Sequence, residues 1–457
     1  MKNDFTSIFK AIEPTEQESF RQYIRHFYGQ QKAVLLVFEQ TVVFMAASHE
    51  NNFIASHRNH KNTLNALSDL KKWLLEFLAV QELKNNNYEA KFLMLEALHK
   101  RKLSGAFDDK AHELHREFEK HKSPDMWHLL WQLRLNHIRY FDIENDLLEE
   151  RQDQMHQLLS SLDYFYIGTK LKYASELASR TYIVRENYET ILLNEILLHV
   201  DTAPDTHPII TSLYLPLYKL TKEKSESAFE LLKHFLENNT HHNRSEKTAI
   251  LFYLLNFAIY RIRHGDKSYT HAYFEIVEIG LSQKLFTTTG FFPEAAFSNI
   301  INVCVPLKKY GWAKKFTADW SDYLEPADKN NTVNFALARI CFEEKNFDET
   351  HILLQKIGPY KNFLFNIHVR LLLVRTFYEQ KQDKAFINSH SNTFYQYIHR
   401  HKNIGQDMKT SVINFLKIFN LLANKKSKAD IQSVLSSIHT PIICVDWLKE
   451  KIEVLKN

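Results

Sequence analysis

Residues 334–357 read NFALARICFEEKNFDETHILLQKI, and residues 368–394 read HVRLLLVRTFYEQKQDKAFINSHSNTF. Each stretch has the pattern of a helix, a tight polar turn and a second helix, because apolar residues recur three or four positions apart on both sides of a short polar break. The two stretches therefore predict two helical hairpins that follow each other along the chain. Upstream sequence repeats the pattern less clearly.

The composition favours helices throughout the chain. Average usage predicts roughly 32 glycines in a chain of this length. The 457 residues contain 9 glycines and 10 prolines. Doubly wound α/β enzymes and β-sandwiches use glycine in phosphate loops, tight turns and bulges. Long runs of helix-favouring residues joined by short polar breaks predict an all-α fold instead.

The N-terminal region predicts helices that differ from the later hairpins. A capping-box pattern at residues 15–18 precedes an apolar stripe at helical spacing. Residues 32–47 are apolar almost all round, and periodicity leaves both helix and strand open for them. We predict an N-terminal helical subdomain at residues 1–84, helical repeats at 85–403 and C-terminal capping helices at 404–457.

Aromatic residues near the predicted turns indicate the number of residues between successive repeats. Trp312 and Phe347 are 35 residues apart, and a further 35 residues reach Gln382. The same spacing separates two more pairs, Ala338 from Leu373 and Thr350 from Ala385. A helical hairpin cannot bury its apolar face alone, whereas stacked neighbours can, so a recurring hairpin predicts a repeat array.

The spacing and layout resemble the tetratricopeptide repeat (TPR), whose period is about 34 residues. The residues that carry the resemblance are Leu337, Ala338, Phe347, Thr350 and Pro359. The sequence departs from the TPR pattern at the first-helix tyrosine, the second-helix alanine and one turn aromatic, where it has Cys341, Thr350 and Gln382. The resemblance covers roughly 100 residues. The whole chain is also similar to large uncharacterised bacterial helical proteins.

The TPR resemblance implies a right-handed superhelical array of antiparallel helix pairs whose first helices line a concave face. Carried onto this sequence, the inward positions are Phe335, Arg339, Phe342, Arg370, Val374 and Phe377. Guanidinium groups flanked by aromatic rings suit an acidic or C-terminal peptide, because arginine pairs with carboxylates while the rings hold apolar side chains. We therefore predict partner binding at these six residues.

Two acidic or histidine-rich stretches were compared with metal-binding motifs. His112 and His115 are three residues apart, whereas the zinc motif needs four, so a solvated helix face is the simpler interpretation. Asp108-Asp109 and the stretch at 145–149 resemble a magnesium–diphosphate pair only remotely, because His112 stands where a third acid belongs. An all-α, Mg-dependent diphosphate enzyme stays a remote alternative. We expect no enzymatic activity, no metal and no cofactor.

Charge and cysteine content limit the remaining function classes. The 58 basic and 54 acidic residues give a net charge of +4. The basic clusters at residues 21–26 and 399–402 predict exposed charged faces, and a nucleic-acid-associated regulatory protein stays the alternative function. The three cysteines fit a reducing compartment, and neither a signal peptide nor a membrane span is predicted. The sequence therefore predicts a cytoplasmic interaction scaffold for a protein or peptide partner, whose identity it leaves open along with the oligomeric state.

Overall fold

A computed structural model describes residues 4–46, 61–85, 87–121, 124–142, 148–181, 190–202, 208–239, 242–288, 290–358, 362–401 and 404–455. Within these ranges the chain is 84% helix, with 22 α-helices and no β-strand. The predicted all-α class is confirmed. Residues 32–46, which the sequence left open between helix and strand, form a helix.

The described helices are numbered here in chain order. Helices α1 to α8 span Asp4–Ala11, Pro14–Tyr28, Lys32–Ala46, Lys61–Asn85, Asn87–Lys100, Ser104–Glu119, Met126–Asp142 and Leu148–Thr181. Helices α9 to α15 span Leu193–Thr202, Leu215–Tyr218, Glu226–Asn238, Arg244–Arg263, Tyr269–Ser282, Glu294–Cys304 and Tyr310–Trp320. Helices α16 to α22 span Pro326–Glu343, Phe347–Gln355, Phe363–Glu379, Lys384–Arg400, Gln406–Ala423, Lys428–Ser436 and Val445–Val454. The short α10 is flanked by π-helical turns at Ile210–Tyr214 and Lys219–Glu223.

The chain forms two compact units. The first comprises Met1–His121 and Leu130–Ser161, and the second comprises Lys122–Leu129 and Leu162–Asn457. In the first unit, helices α1 to α4 enclose a phenylalanine-rich core in which Phe20 has no exposed surface. Helices α5 to α7 enclose a smaller apolar core around Phe92.

The second unit stacks its helices in sequence order. Helix α12 packs against α13, α16 against α17, and α19 against α20. Helices α14 and α16 each also contact the second helix after them, as does α20 with α22. One apolar core follows α8 to α16, and a second core is shared by α16 to α22. Residues 404–455 therefore complete the same core as the helices before them, and the division at residue 403 stays a prediction.

The turns between paired helices repeat one hydrogen-bonded motif. The N–H of Asn346 donates to the carbonyl oxygen of Cys341 at 2.9 Å, and Lys345 between them has a φ of 62°. This six-to-one bond around a left-handed residue is the Schellman motif, which satisfies the last carbonyls of a helix. The same bond links Gln382 to Phe377 and Lys426 to Leu421. Three second helices then begin at side chains that accept a backbone N–H, namely Asn346, Asp383 and Ser427.

The repeat spacing in this region is 37 residues, not the predicted 35. Second helices begin at Tyr310, Phe347 and Lys384, 37 residues apart each time. The prediction aligned Phe347 with Trp312, which is the third residue of its helix rather than the first. The predicted equivalence of Thr350 with Ala385 is therefore wrong. Thr350 is fully buried and Ala385 is exposed, whereas the residues 37 positions from Thr350 on either side are buried, namely Ala313 and Ile387.

Candidate partner-binding groove

The structure places the six predicted binding residues in unlike surroundings. Four of them are at most 5% exposed, because neighbouring helices cover the side of α16 or α18 on which they lie: Phe335, Phe342, Val374 and Phe377. Their side chains pack between helices. A direct contact between these four and a partner stays a prediction.

Arg339 lies in the interior rather than on an open face. Its side chain is 13% exposed and pairs with Glu343 one turn later on α16. Burial lowers the pKa of Arg339, and the nearby guanidinium of Arg375 lowers it further. Sequence reasoning missed Arg375, which lies one repeat after Arg339. Arg375 is buried, donates to the thiol of Cys444 at 3.2 Å and stacks on Phe342 at 4.3 Å.

The helix α22 covers this side of α18. Trp447 is 9% exposed, and its indole N–H donates to Glu379 at 2.8 Å. Lys451 pairs with the same carboxylate at 2.7 Å, and the Trp447 ring meets Tyr378 edge-on at 5.5 Å. Helix α22 and Cys444 before it therefore cover α18 around Arg375 and Glu379.

His368 lies in the positive surroundings of this interior. It lies on α18 near the guanidinium groups of Arg263 and Arg339. Burial, and then these two charges, lower the pKa of His368 to about 4. The imidazole therefore stays neutral near pH 7, which avoids placing a third cation beside two arginines.

Arg370 lies in different surroundings from Arg339. It is partly exposed and lines a groove of about 550 Å³ between α18 and α19. The lining residues are Arg370, Ser389, Asn392, Thr393, Gln396, Tyr397, Arg400 and His401. All except Arg370 lie on α19 or directly after it, at three- and four-residue spacings that share one helix face. The opposite face of α19 is buried, because Ser391, Phe394 and Ile398 pack inward.

The groove carries positive charge without a compensating acid. The guanidinium of Arg370 stacks on the ring of Tyr397 at 4.5 Å, and that ring contacts His401 at 4.4 Å. None of the eight lining residues is acidic. Across the described part of the chain, no carboxylate pairs with Arg370, Arg400 or His401. Sequence reasoning singled out Arg370 and the 399–402 cluster separately, and the structure brings Arg370 together with two members of that cluster, Arg400 and His401.

The N-terminal basic cluster, in contrast, is neutralised by its neighbours. Arg21 lies 3.1 Å from Glu18 and 3.7 Å from Glu39. Arg25 pairs with Glu39 at 2.9 Å. Since acidic partners within the same unit balance both arginines, this cluster offers no surplus charge for a phosphate backbone.

The residues that resemble metal motifs lie partly outside the described ranges, and the described ones include His112, His115, Asp108 and Asp109. No group of three or more His, Cys, Asp or Glu side chains with metal-binding geometry occurs among the described residues. His112 is exposed, and His115 pairs with Glu119 at 3.4 Å. Burial and the charge of Arg139 lower the pKa of His115. The acidic pair at 108–109 lies on α6, and residues 145–147 fall outside the described part of the chain.

A buried polar network in the second unit ties three segments together. Glu246 on α12 accepts hydrogen bonds from Lys172 of α8 at 2.6 Å and from Tyr214 at 2.9 Å. The ring of His242 lies 2.8 Å from its other oxygen. Burial raises the pKa of Glu246, but the hydrogen bond to His242 and the charge of Lys172 outweigh it, so the pKa lies below its usual value. We interpret this network as a structural link between helices.

No protein-family model, curated protein or solved structure matches this chain. Across the described helices, none combines the length and the apolar character needed to span a membrane. The fold and the groove together define an all-helical protein with a cationic, carboxylate-free groove between two consecutive helices.

Proposed function

We propose that this protein is a non-enzymatic interaction scaffold that holds a protein or peptide partner in the groove between α18 and α19. The observation that carries the proposal is the surplus positive charge of that groove. Arg370 and Arg400 line it with His401, and no acid within the described ranges pairs with them. Charged groups left unpaired on a surface are available to a ligand of opposite sign, and paired ones are not.

The proposal includes a TPR-like, right-handed superhelical array for the repeats. Three features of the second unit support it: the 37-residue spacing of second helices, the repeated Schellman turn, and the contacts of α14 with α16 and of α16 with α18. Arrays of this kind bind partners along continuous helical surfaces. A cytoplasmic location belongs to the same proposal, and it is supported by three free thiols at Cys304, Cys341 and Cys444.

The partner class follows from the groove's chemistry. Arg370 stacks face-on against Tyr397, which leaves the N–H groups at the guanidinium edge free to form a bidentate pair with a carboxylate or another oxyanion. Neutral donors on α19, such as Asn392 and Gln396, lie beside it. An acidic segment of a partner protein therefore fits the groove better than an apolar helix does.

Site-specific cross-linking in the native host tests this function. A photo-reactive amino acid replaces Gln396 in the groove, and the cross-linked partner is identified by mass spectrometry. We expect the double substitution Arg370→Glu and Arg400→Glu to reduce the cross-link about tenfold or more, because it reverses two charges in the groove.

The control substitution is Lys384→Glu, which reverses an exposed charge at the start of α19, outside the groove. It should leave the cross-link unchanged. A cross-link that survives the double substitution, or one that Lys384→Glu removes equally, contradicts binding in the groove.

A further inference from the structure

We propose that the groove between α18 and α19 binds a phosphate monoester carried on a peptide segment of the partner. This inference rests on the proposed function and names the chemical group that the groove recognises. Its geometric basis is the convergence of Arg370, Arg400 and His401 on one groove without an acid.

The charge of the groove matches a phosphate monoester better than a carboxylate. The groove contains two guanidinium groups, those of Arg370 and Arg400. A phosphorylated side chain carries a charge of about −1.5 to −2 near pH 7. A single carboxylate leaves one guanidinium without a partner, whereas a phosphate monoester pairs with both.

The neutral lining residues also suit a tetrahedral oxyanion. Ser389 and Tyr397 contribute hydroxyl groups, and Asn392 and Gln396 contribute amide N–H donors. Three terminal phosphate oxygens accept several such bonds at once, in addition to the bidentate pair with an arginine. The groove volume of about 550 Å³ also admits the residue that carries the phosphate and its neighbours in the peptide.

A peptide fits the groove better than a nucleic acid does. A nucleic acid presents phosphates in a continuous row and needs a cationic track to follow them. The 17 residues of α19 contain one lysine and one arginine, Lys384 and Arg400, at opposite ends of the helix. One face of Tyr397, where a base would stack, is already covered by Arg370, and the ring of His401 also contacts Tyr397. The groove therefore recognises one isolated phosphate.

Calorimetric titration of the full chain with two small probes tests the phosphate directly. The probes are N-acetyl-O-phosphoserine N-methylamide and the glutamate amide built in the same way. We expect the phosphorylated probe to bind about tenfold more tightly or better, because it forms additional charge-assisted hydrogen bonds. Arg370→Gln with Arg400→Gln should remove that difference, and Lys384→Gln should retain it.

Three results overturn the phosphate assignment: no saturable binding of the phosphorylated probe, equal affinity for both probes, or tighter binding of a single-stranded oligonucleotide than of the phosphorylated probe. Phosphatase treatment separates the two proposals. A partner whose groove cross-link survives phosphatase but disappears with Arg370→Glu and Arg400→Glu leaves the scaffold function intact and contradicts the phosphate. A cross-link that both treatments remove supports both proposals.

Discussion

Lysines at the helix ends show how this chain ends many helices with little glycine. Of the nine non-glycine residues with positive φ among the described residues, seven are lysines: Lys102, Lys224, Lys284, Lys308, Lys345, Lys381 and Lys425. A left-handed conformation costs a residue with a Cβ about 1–2 kcal/mol. A lysine at the carboxyl end of a helix offsets part of this cost, because its charge favours the negative end of the helix dipole.

Replacing one of these lysines by glycine should stabilise the protein. Lys345→Gly relieves the strain of a φ of 62°, while glycine's greater freedom in the unfolded chain offsets part of the gain. We expect the free energy of unfolding to rise by about 0.5–1 kcal/mol, measured by urea denaturation. Lys356→Gly is the matched control, because Lys356 also ends a helix but has a φ of −75°. Stabilisation by both substitutions to the same extent contradicts the strain argument.

Residue-level reasoning found part of the candidate site. Arg370 and the 399–402 cluster stand out in the sequence because they are basic residues near aromatic ones. Their proximity depends on how α18 lies against α19, which no local pattern encodes. The burial of Arg339 was missed for a similar reason, since it depends on neighbours such as Arg375 and Cys444 that lie on later segments of the chain.

At the level of elements, the sequence predicted that helical hairpins occur more accurately than it predicted the residues at which their helices begin. Helix α16 begins at Pro326, eight residues before the first predicted hairpin at 334–357. Its first turns contain asparagines and a threonine, residues that favour helix ends and turns in local sequence. Tertiary packing overrides that preference here. Thr332 is buried, and its hydroxyl donates to the carbonyl of Asp328 within the helix at 2.9 Å.

The helix α22 is an integral part of the second core, so removing its anchor should cost much stability. Trp447→Ala deletes a nearly buried indole and removes its hydrogen bond to Glu379, which keeps its ion pair with Lys451. We expect a loss of about 3–5 kcal/mol in the free energy of unfolding, measured by denaturant titration followed by circular dichroism. Val454→Ala on the same helix, at a position 76% exposed, should change it by less than about 0.5 kcal/mol. Similar small effects from both substitutions contradict the core assignment.

At the scale of the whole molecule, the chain has more than one compact unit, and this division differs from the three segments predicted from sequence. Two of its three breaks fall within helices, in α7 and α8, and the third lies between α6 and α7. Proline, glycine and short polar runs in a sequence indicate loops. They cannot indicate a boundary between two compact units that crosses a continuous helix. The three-part division therefore stays a prediction, and the unit division is the structural finding.

The two units predict unfolding that is not two-state. Chains with separate cores commonly unfold in more than one step. We expect differential scanning calorimetry to resolve at least two transitions. Phe20→Ala should lower the midpoint of one transition, and Phe297→Ala that of the other, since each ring is fully buried in a different unit. A single transition that both substitutions shift equally contradicts independent cores.

The left-handed lysines also determine where a protease meets this chain. Trypsin cleaves after lysine, and Lys102, Lys345, Lys381 and Lys425 are exposed at the turn between two helices. Each of these peptide bonds becomes accessible when its own hairpin opens locally, without the rest of the chain unfolding. Partial digestion thus releases fragments that begin with second helices, and the order in which they are released ranks the hairpins by how readily each one opens.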